Sequence, residues 1–341
     1  MNELYYVGLD VHKRTISYCV KQADGRVVKQ GSVAATRAAL REWAVQLPGQ
    51  WSGAMEATMF TGWIYDFLRP QAVELQVAHP YMLRAIAAAK KKNDRVDAAK
   101  LADALRCDLL PTCWMAPSEM RELRRVLRYR NLLVREAVRM KNKTAGLLME
   151  VGAEFNKGRL HGRRYFHELV EGLEEVPESV KALLELTHSH LEIFERAQKR
   201  LLRALREHPL LAKRVDRLRS IPGVGEVTAL TWALEIVDPN RFSSGKRAVS
   251  YCGLCSAQDE SGGKSQRHPL SKQRNAHLQM MLVEAAQLAP RFNPELARVY
   301  ERERARGAHH NRAVLAVARK LVGYLLAVDK RGTEFQPRPL R

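Results

Sequence analysis

The stretch from Ser118 to Val151 constrains the fold more than any other part of the chain. Leu123, Val126, Leu127, Leu133, Val134 and Val138 recur at helical spacing behind Ser118, a natural N-cap, so one long helix is predicted. Its opposite face is crowded with Arg124, Arg125, Arg128, Arg130, Arg135, Arg139, Lys141 and Lys143. Pro177 opens a second long helical pattern through Leu183, Leu184, Leu186, Leu191, Phe194 and Leu201. Between the two, Asn156 to His161 reads as a loop flanked by Gly152, Gly158 and Gly162. Long helices joined by a glycine-containing break predict an antiparallel hairpin over residues 116–208, a coiled-coil spacer or a dimerisation arm.

The patterns on either side differ from each other, and the whole reads as α/β plus α. In residues 1–115, Tyr5 to Val11 is an apolar run of strand length, and Thr15 to Lys21 alternates as a second strand. Asp24-Gly25 turns the chain into a third strand at Arg26 to Val33, and Thr36 caps a helix carrying Leu40, Trp43, Ala44 and Leu47. Strand, helix and strand follow at Trp51 to Ala57, Gly62 to Leu68 and Val73 to Val77. Three strands, a helix and then alternation is the order of a ribonuclease H-like sheet. A helix follows from Asp94 to Arg106. Residues 209–330 read as a mainly helical last domain, and the Pro- and Arg-rich residues 331–341 as a disordered tail.

The chain of 341 residues carries a formal net charge of +20, which calls for a polyanionic partner, most simply nucleic acid. A membrane-surface protein would show a lipid signal or a Lys-rich amphipathic end, and neither is present. The longest apolar run, Ala313 to Val328, is interrupted by Arg319 and Lys320, so it reads as a packed helix. The first residues already include Glu3, Asp10, His12 and Lys13, unlike an export signal. With an odd number of cysteines, reduced thiols and a cytoplasmic location are expected, nucleoid-associated when on DNA. Acids are too few to balance the basic face of the long helix. Arg124, Arg125, Arg128, Arg135, Arg139, Lys141 and Lys143 are therefore assigned to nucleic-acid contact, against the plainer reading of a solvated face.

Four acids stand apart. Asp10 ends one apolar strand and Glu56 another, while Asp94 and Asp97 are three apart at a helix start and share a face. Such a cluster suits two hard cations about 4 Å apart, which stabilise the attacking and leaving oxygens of a phosphodiester. The competing readings are a turn residue for Asp10, a cap and a dipole-favoured acid for Asp94 and Asp97, and a buried salt bridge for Glu56.

In the last third, Ser220 to Ala229 resembles the hairpin of a helix-hairpin-helix element, with Gly223 and Gly225 letting backbone N–H groups approach a phosphate. An ordinary glycine turn is the alternative. Asp259 to Ser265 reads as a flexible polar loop with Ser261 central beside Gly262 and Gly263. Lys264 can offset phosphate charge, Lys272 is a further basic contact, and Ser265 and Ser271 are rival hydroxyls. Cys252 and Cys255 have zinc half-site spacing but no second pair, so core positions are expected for one or both. His188, His190, His309 and His310 read as solvated.

Together these segments resemble the DEDD insertion-sequence transposases that join a RuvC-like domain to a serine-bearing C-terminal domain, the family of pilin-gene inverting and bridge-RNA-guided recombinases. The resemblance runs through Val7 to Lys13, Met55 to Thr58, Asn93 to Ala98, Ile221 to Gly225, Tyr251 to Leu254 and Ser261 to Lys264, in the family's order. It implies Asp10, Glu56, Asp94 and Asp97 as a tetrad for Mg²⁺, and Ser261 as a nucleophile that becomes joined to DNA. It also implies a guide RNA from the element's own flank and a homo-oligomer, dimer to tetramer, on two DNA duplexes. Met59, Phe60 and Arg274 stand where many relatives have glycine. The alternatives are a junction-resolving nuclease using water and a non-catalytic nucleic-acid-binding protein.

Overall fold

The computed structural model describes residues 3–86, 93–271 and 273–337, in two compact units, Met1–Ser118 and Glu119–Arg341. In the first, β1 (Leu4–Val11) runs antiparallel to β2 (Thr15–Lys21), which pairs antiparallel with β3 (Val27–Ala34). After α1 (Arg37–Val45), β4 (Gln50–Glu56) returns parallel to β1. After α2 (Thr61–Leu68), β5 (Glu74–Ala78) is parallel to β4. Two helices, α3 (Pro80–Ile86) and α4 (Asp94–Arg106), precede β6 (Thr112–Cys113), antiparallel on β5. The sheet order is β3-β2-β1-β4-β5-β6, a mixed sheet compatible with the ribonuclease H-like expectation.

The period-2 alternation of β1 is buried on both sides. Tyr5, Val7, Leu9 and Val11 join Leu40 and Trp43 of α1 and Ile64 and Leu68 of α2 in one core. Each such fully buried side chain contributes about 1.5–3 kcal/mol. The other side receives α4, which lies across β1, β2 and β4. Gly8 makes this approach possible, because a Cβ there would fall 1.9 Å from the Ala98 carbonyl oxygen and 2.6 Å from the Ala102 nitrogen. Ala54 is paired beside Gly8, so the seat for α4 is built of small residues on strand and helix. Lys21, nearly buried on β2, fixes the far end of α4 through Asp103 Oδ2 at 2.6 Å.

The second unit begins with α5 (Ser118–Glu150), α6 (Arg163–Glu171) and α7 (Glu178–Glu207). The predicted antiparallel hairpin is present: Gln198 Nε2 donates to the Leu133 carbonyl (3.2 Å), and the Thr144 and Thr187 hydroxyls meet at 3.0 Å. The apolar stripe differs from the expected one. Met120, Leu127, Asn131, Leu133, Ala137, Thr144, Leu147 and Leu148 are buried, whereas Val138 is 49% exposed. One helix here serves two cores, the globular one at its start and the hairpin tip at its end, so its buried face rotates along its length. Sequence reasoning passed over α6, although Phe166, Leu169 and Val170 have helical spacing. It closes the tip with Leu147, Leu148, Leu160 and Leu184. His188, expected to be solvated, is buried and stacks on Phe166 with ring centroids 4.0 Å apart.

The rest of this unit comprises α8 (Ala212–Arg219), α9 (Glu226–Ile236), α10 (Gly245–Tyr251), the β7 (Ser256–Ser261)–β8 (Lys264–Leu270) hairpin, α11 (Ala276–Leu288), α12 (Pro294–Ala305) and α13 (His310–Arg331). Its core gathers around α9, buried from Thr228 to Ile236, and around the apolar side of α13. Cys252 is in that core, its thiol pushed up to about 12 by burial, as expected of a structural cysteine. Within the stretch expected to be disordered, the Phe335 ring packs on Tyr324 at 5.0 Å and its amide donates to Ser220 Oγ, while residues 338–341 lie outside the described residues. An aromatic side chain within the Pro- and Arg-rich stretch outweighs its polar composition. No helix among the described residues is long and apolar enough to cross a membrane.

Candidate functional site

The parallel strands β1 and β4 end together. Leu9 is level with Met55, so Asp10 and Glu56 follow side by side on the sheet face that α4 covers. Asn93 caps α4 by accepting from the Arg95 amide, which places Asp94 and Asp97 in the first turn. Because Gly8 lets the helix settle on β1, that turn reaches the strand end. Asp10, His12 and Asp94 each offer a ligand atom, and these lie within 4.8 Å of one another. Asp97, half-buried, is close enough for its charge to act on Asp10, and its Oδ1 lies 3.8 Å from Lys100 Nζ.

Burial holds the Asp10 carboxyl above its ordinary value, opposed by the charge and hydrogen bond of His12 and reinforced by Asp94 and Asp97. A cation bound beside Asp10 would favour its ionised form. Carboxylate oxygens and one imidazole nitrogen converging at a half-exposed strand end form a donor set that fits a divalent metal. Sequence reasoning missed His12 as a member. The signal was its two-residue spacing from Asp10, which puts both side chains on one side of the strand end.

In the second unit, the stretch expected to be a flexible loop is an antiparallel β hairpin. Ser261 and Lys264 face each other across Gly262 and Gly263, whose φ values of +57° and +76° make the tight turn that only such residues adopt readily. Ser261 is exposed, and its hydroxyl has no hydrogen bond among the described residues. The rival hydroxyls are engaged: Ser265 Oγ accepts from Gln258 Nε2 at 2.7 Å and Ser271 Oγ from the Gln273 amide at 3.1 Å. His268 of the same hairpin lies with Nε2 2.9 Å from Asp259 Oδ2.

The basic candidates separate into groups. Arg128 makes two 3.0 Å bonds to the carboxylate of Glu235, which is 1% exposed, and Arg124 donates to the Leu234 carbonyl while lying 3.5 Å from Glu235. Asn275 Nδ2 completes the set at 2.8 Å. Burial alone would raise the Glu235 carboxyl, but Arg128, Arg124 and Asn275 hold it below the ordinary carboxylate range. Arg124 and Arg128 thus neutralise a buried acid, a role invisible in a helix considered alone. Arg139, Lys141 and Lys143 pair with Glu136, Glu195 and Glu150, whereas Arg125 and Arg135 are exposed without an ion pair among the described residues. Glu235→Gln should lower stability by roughly 2–3 kcal/mol, because it leaves two arginines half-paired, discounted for the exposure of Arg128. A denaturant melt of that variant at neutral pH measures it.

Where a helix-hairpin-helix element was expected, α8, residues 220–225 and α9 form a helix, a turn and a helix. Gly223, however, with φ +93°, is filled from outside by Ala289, 2.7 Å from where its Cβ would stand. It is a packing glycine. Gly225 has open space around it, and Lys264 is exposed on its hairpin. Lys272 lies outside the described residues.

Two families match. Residues 7–152 match the DEDD transposases of the IS110 type, and residues 215–301 match the transposase family of IS116, IS110 and IS902. The chain is 27% identical to the transposase for insertion sequence element IS1328 of Yersinia enterocolitica, over 72% of this chain and 73% of that one. It is 25% identical to the transposase for IS1111A of Coxiella burnetii, over 84% and 78%, and 24% identical to the y4qE protein of Sinorhizobium fredii, over 95% and 88%.

Proposed function

The chain belongs to the IS110/IS116 family of DEDD transposases, and on that premise we propose that it exchanges DNA strands by transesterification through Ser261, with Asp10, Glu56, Asp94 and Asp97 holding divalent cations, most simply Mg²⁺. The observation that carries the reading is the meeting of the β1 end and the α4 start. Acids from distant parts of the sequence are brought to one half-exposed point beside a histidine.

Cations held there would stabilise charge on the attacking and leaving oxygens of the scissile phosphate. In this reading Asp10 and Glu56 would hold the cations from the sheet side, and Asp94 and Asp97 from the first turn of α4. Ser261 Oγ forms a bond to phosphorus as the phosphodiester P–O bond breaks, leaving a free hydroxyl end. Attack by the hydroxyl end of another strand reverses the step and restores the serine. Lys264, across the turn, offsets phosphate charge. The first unit is proposed as RuvC-like.

A guide RNA is proposed from the family resemblance, with the net charge of +20 and the free Arg125 and Arg135 in support. Arg125→Gln with Arg135→Gln should flatten the log–log salt slope of duplex binding by about 2, near 0.9 per phosphate contact. An unchanged slope with weaker binding would assign these arginines to packing. Assembly of several copies is supported by Leu183, Leu186 and Ile193, exposed along α7 at heptad spacing.

The reading is tested by incubating the protein, with the nucleic acid that copurifies, on DNA carrying the flanks of its own gene. Strand exchange should need a divalent cation, stop with a chelator and be lost in Asp94→Asn. Exchange that continues in chelator, or in Asp94→Asn, would sink it.

A further inference from the structure

Gly8, Asp10 and His12 follow one another at two-residue spacing along β1 and its end, so they leave the sheet on one side. Gly8 admits α4, and the next two meet the first turn of that helix. His12 Nε2 stands 3.1 Å from Asp10 Oδ2 and 3.6 Å from Asp94 Oδ2. An ion pair needs one carboxylate, whereas this imidazole spans two from separate elements. Its backbone is tied by a 3.0 Å bond between the His12 amide and the Thr15 carbonyl, and its ring is 50% exposed. Ligand atoms about 2.1 Å from one ion, at right-angled to tetrahedral positions, lie about 3.0–3.4 Å apart. The two His12 separations are close to that range.

We infer that His12 is a nitrogen ligand of the divalent cation, so that one metal position is an Asp10–His12–Asp94 set and not an all-oxygen one, and that this favours Mn²⁺ over Mg²⁺. The inference rests on the carboxylates holding metal. Mg²⁺ sheds water reluctantly and takes oxygen ligands, while imidazole suits first-row transition ions. A histidine that only oriented Asp10 from outside would leave the metal with oxygen donors and no such preference.

The test uses the full-length protein with Mn²⁺ alone, followed by pulsed electron paramagnetic resonance, and a Mn²⁺ titration with Mg²⁺ as competitor. The parent should give the coupling of a directly bound nitrogen. His12→Ala should lose that coupling and weaken Mn²⁺ binding at least about tenfold, with a smaller loss for Mg²⁺. His12→Asp should recover Mg²⁺ binding without the Mn²⁺ preference. Far-ultraviolet circular dichroism should be unchanged in both, since the ring is on an exposed turn. Mn²⁺ bound without nitrogen coupling, or coupling that survives His12→Ala, would overturn the role of His12 and leave the carboxylate site standing. Failure of the parent to bind Mn²⁺, or binding unaffected by Asp10→Asn, would overturn the carboxylate reading and this inference together.

Discussion

Gly8→Ala is expected to reduce strand exchange at least about 100-fold while every acid of the site remains, because a displacement of about 1 Å can cost that much. The added methyl carbon would lie 1.9 Å from the Ala98 carbonyl oxygen, which is backbone of α4 and cannot rotate away. Either α4 lifts from β1 or the strand bends. Both separate the first turn of α4, with Asp94 and Asp97, from Asp10. Overpacking of this kind costs typically about 1–3 kcal/mol, and the nearby Ala102 nitrogen at 2.6 Å puts this case at the upper end. The melting temperature should fall, and the stabilisation conferred by Mn²⁺ or Mg²⁺ should shrink with it. Gly146→Ala is the matched control, since a Cβ there meets nothing within 4 Å and α5 should gain up to about 1 kcal/mol. A Gly8→Ala protein with parental melting, metal response and exchange would show that α4 does not depend on this seat.

The sequence carried the elements that local periodicity can reveal. Strands β1 to β5, the helix from Asp94 and the two long helices lie within a few residues of their predicted bounds, whereas the short β6 had no counterpart in the sequence pattern. So does the Thr36 cap, whose hydroxyl accepts from the Ala39 amide. The carboxylates at strand ends and at a helix start were legible because strand ends and first turns are where such side chains converge. Long-range partners were not legible. Nothing local distinguishes Arg124 and Arg128 from Arg125 and Arg135, and only the burial of Glu235 on α9 separates them. Gly223 looked like a phosphate-approach glycine because its use by Ala289 depends on a residue far along the chain. Ser261 was placed in a loop because polar residues hid a hairpin whose register is held mainly by backbone pairing, with polar side chains facing outward. His12 was overlooked because its role depends on Asp94, which only the fold brings to it.

Ser261→Ala should abolish a covalent protein–DNA adduct by at least roughly 10³-fold, the scale on which removal of a nucleophile acts. A serine hydroxyl is weak at neutral pH, and no base is hydrogen-bonded to Ser261 Oγ among the described residues. Activation must therefore come from charge on the phosphate side, so Asp94→Asn should abolish the adduct as well. Folding should be untouched in Ser261→Ala, because the exposed hydroxyl has no partner to lose among the described residues and the turn depends on Gly262 and Gly263. The decisive measurement incubates parent, Ser261→Ala and Asp94→Asn proteins with their copurifying nucleic acid, Mg²⁺ and DNA bearing the flanks of the gene, then resolves the products under denaturing conditions. A denaturant-resistant adduct is expected in the parent alone, mapped to Ser261. An adduct that persists in Ser261→Ala or maps to Ser265 or Ser271, or full-rate cutting by Ser261→Ala without adduct in any sample, would contradict that assignment.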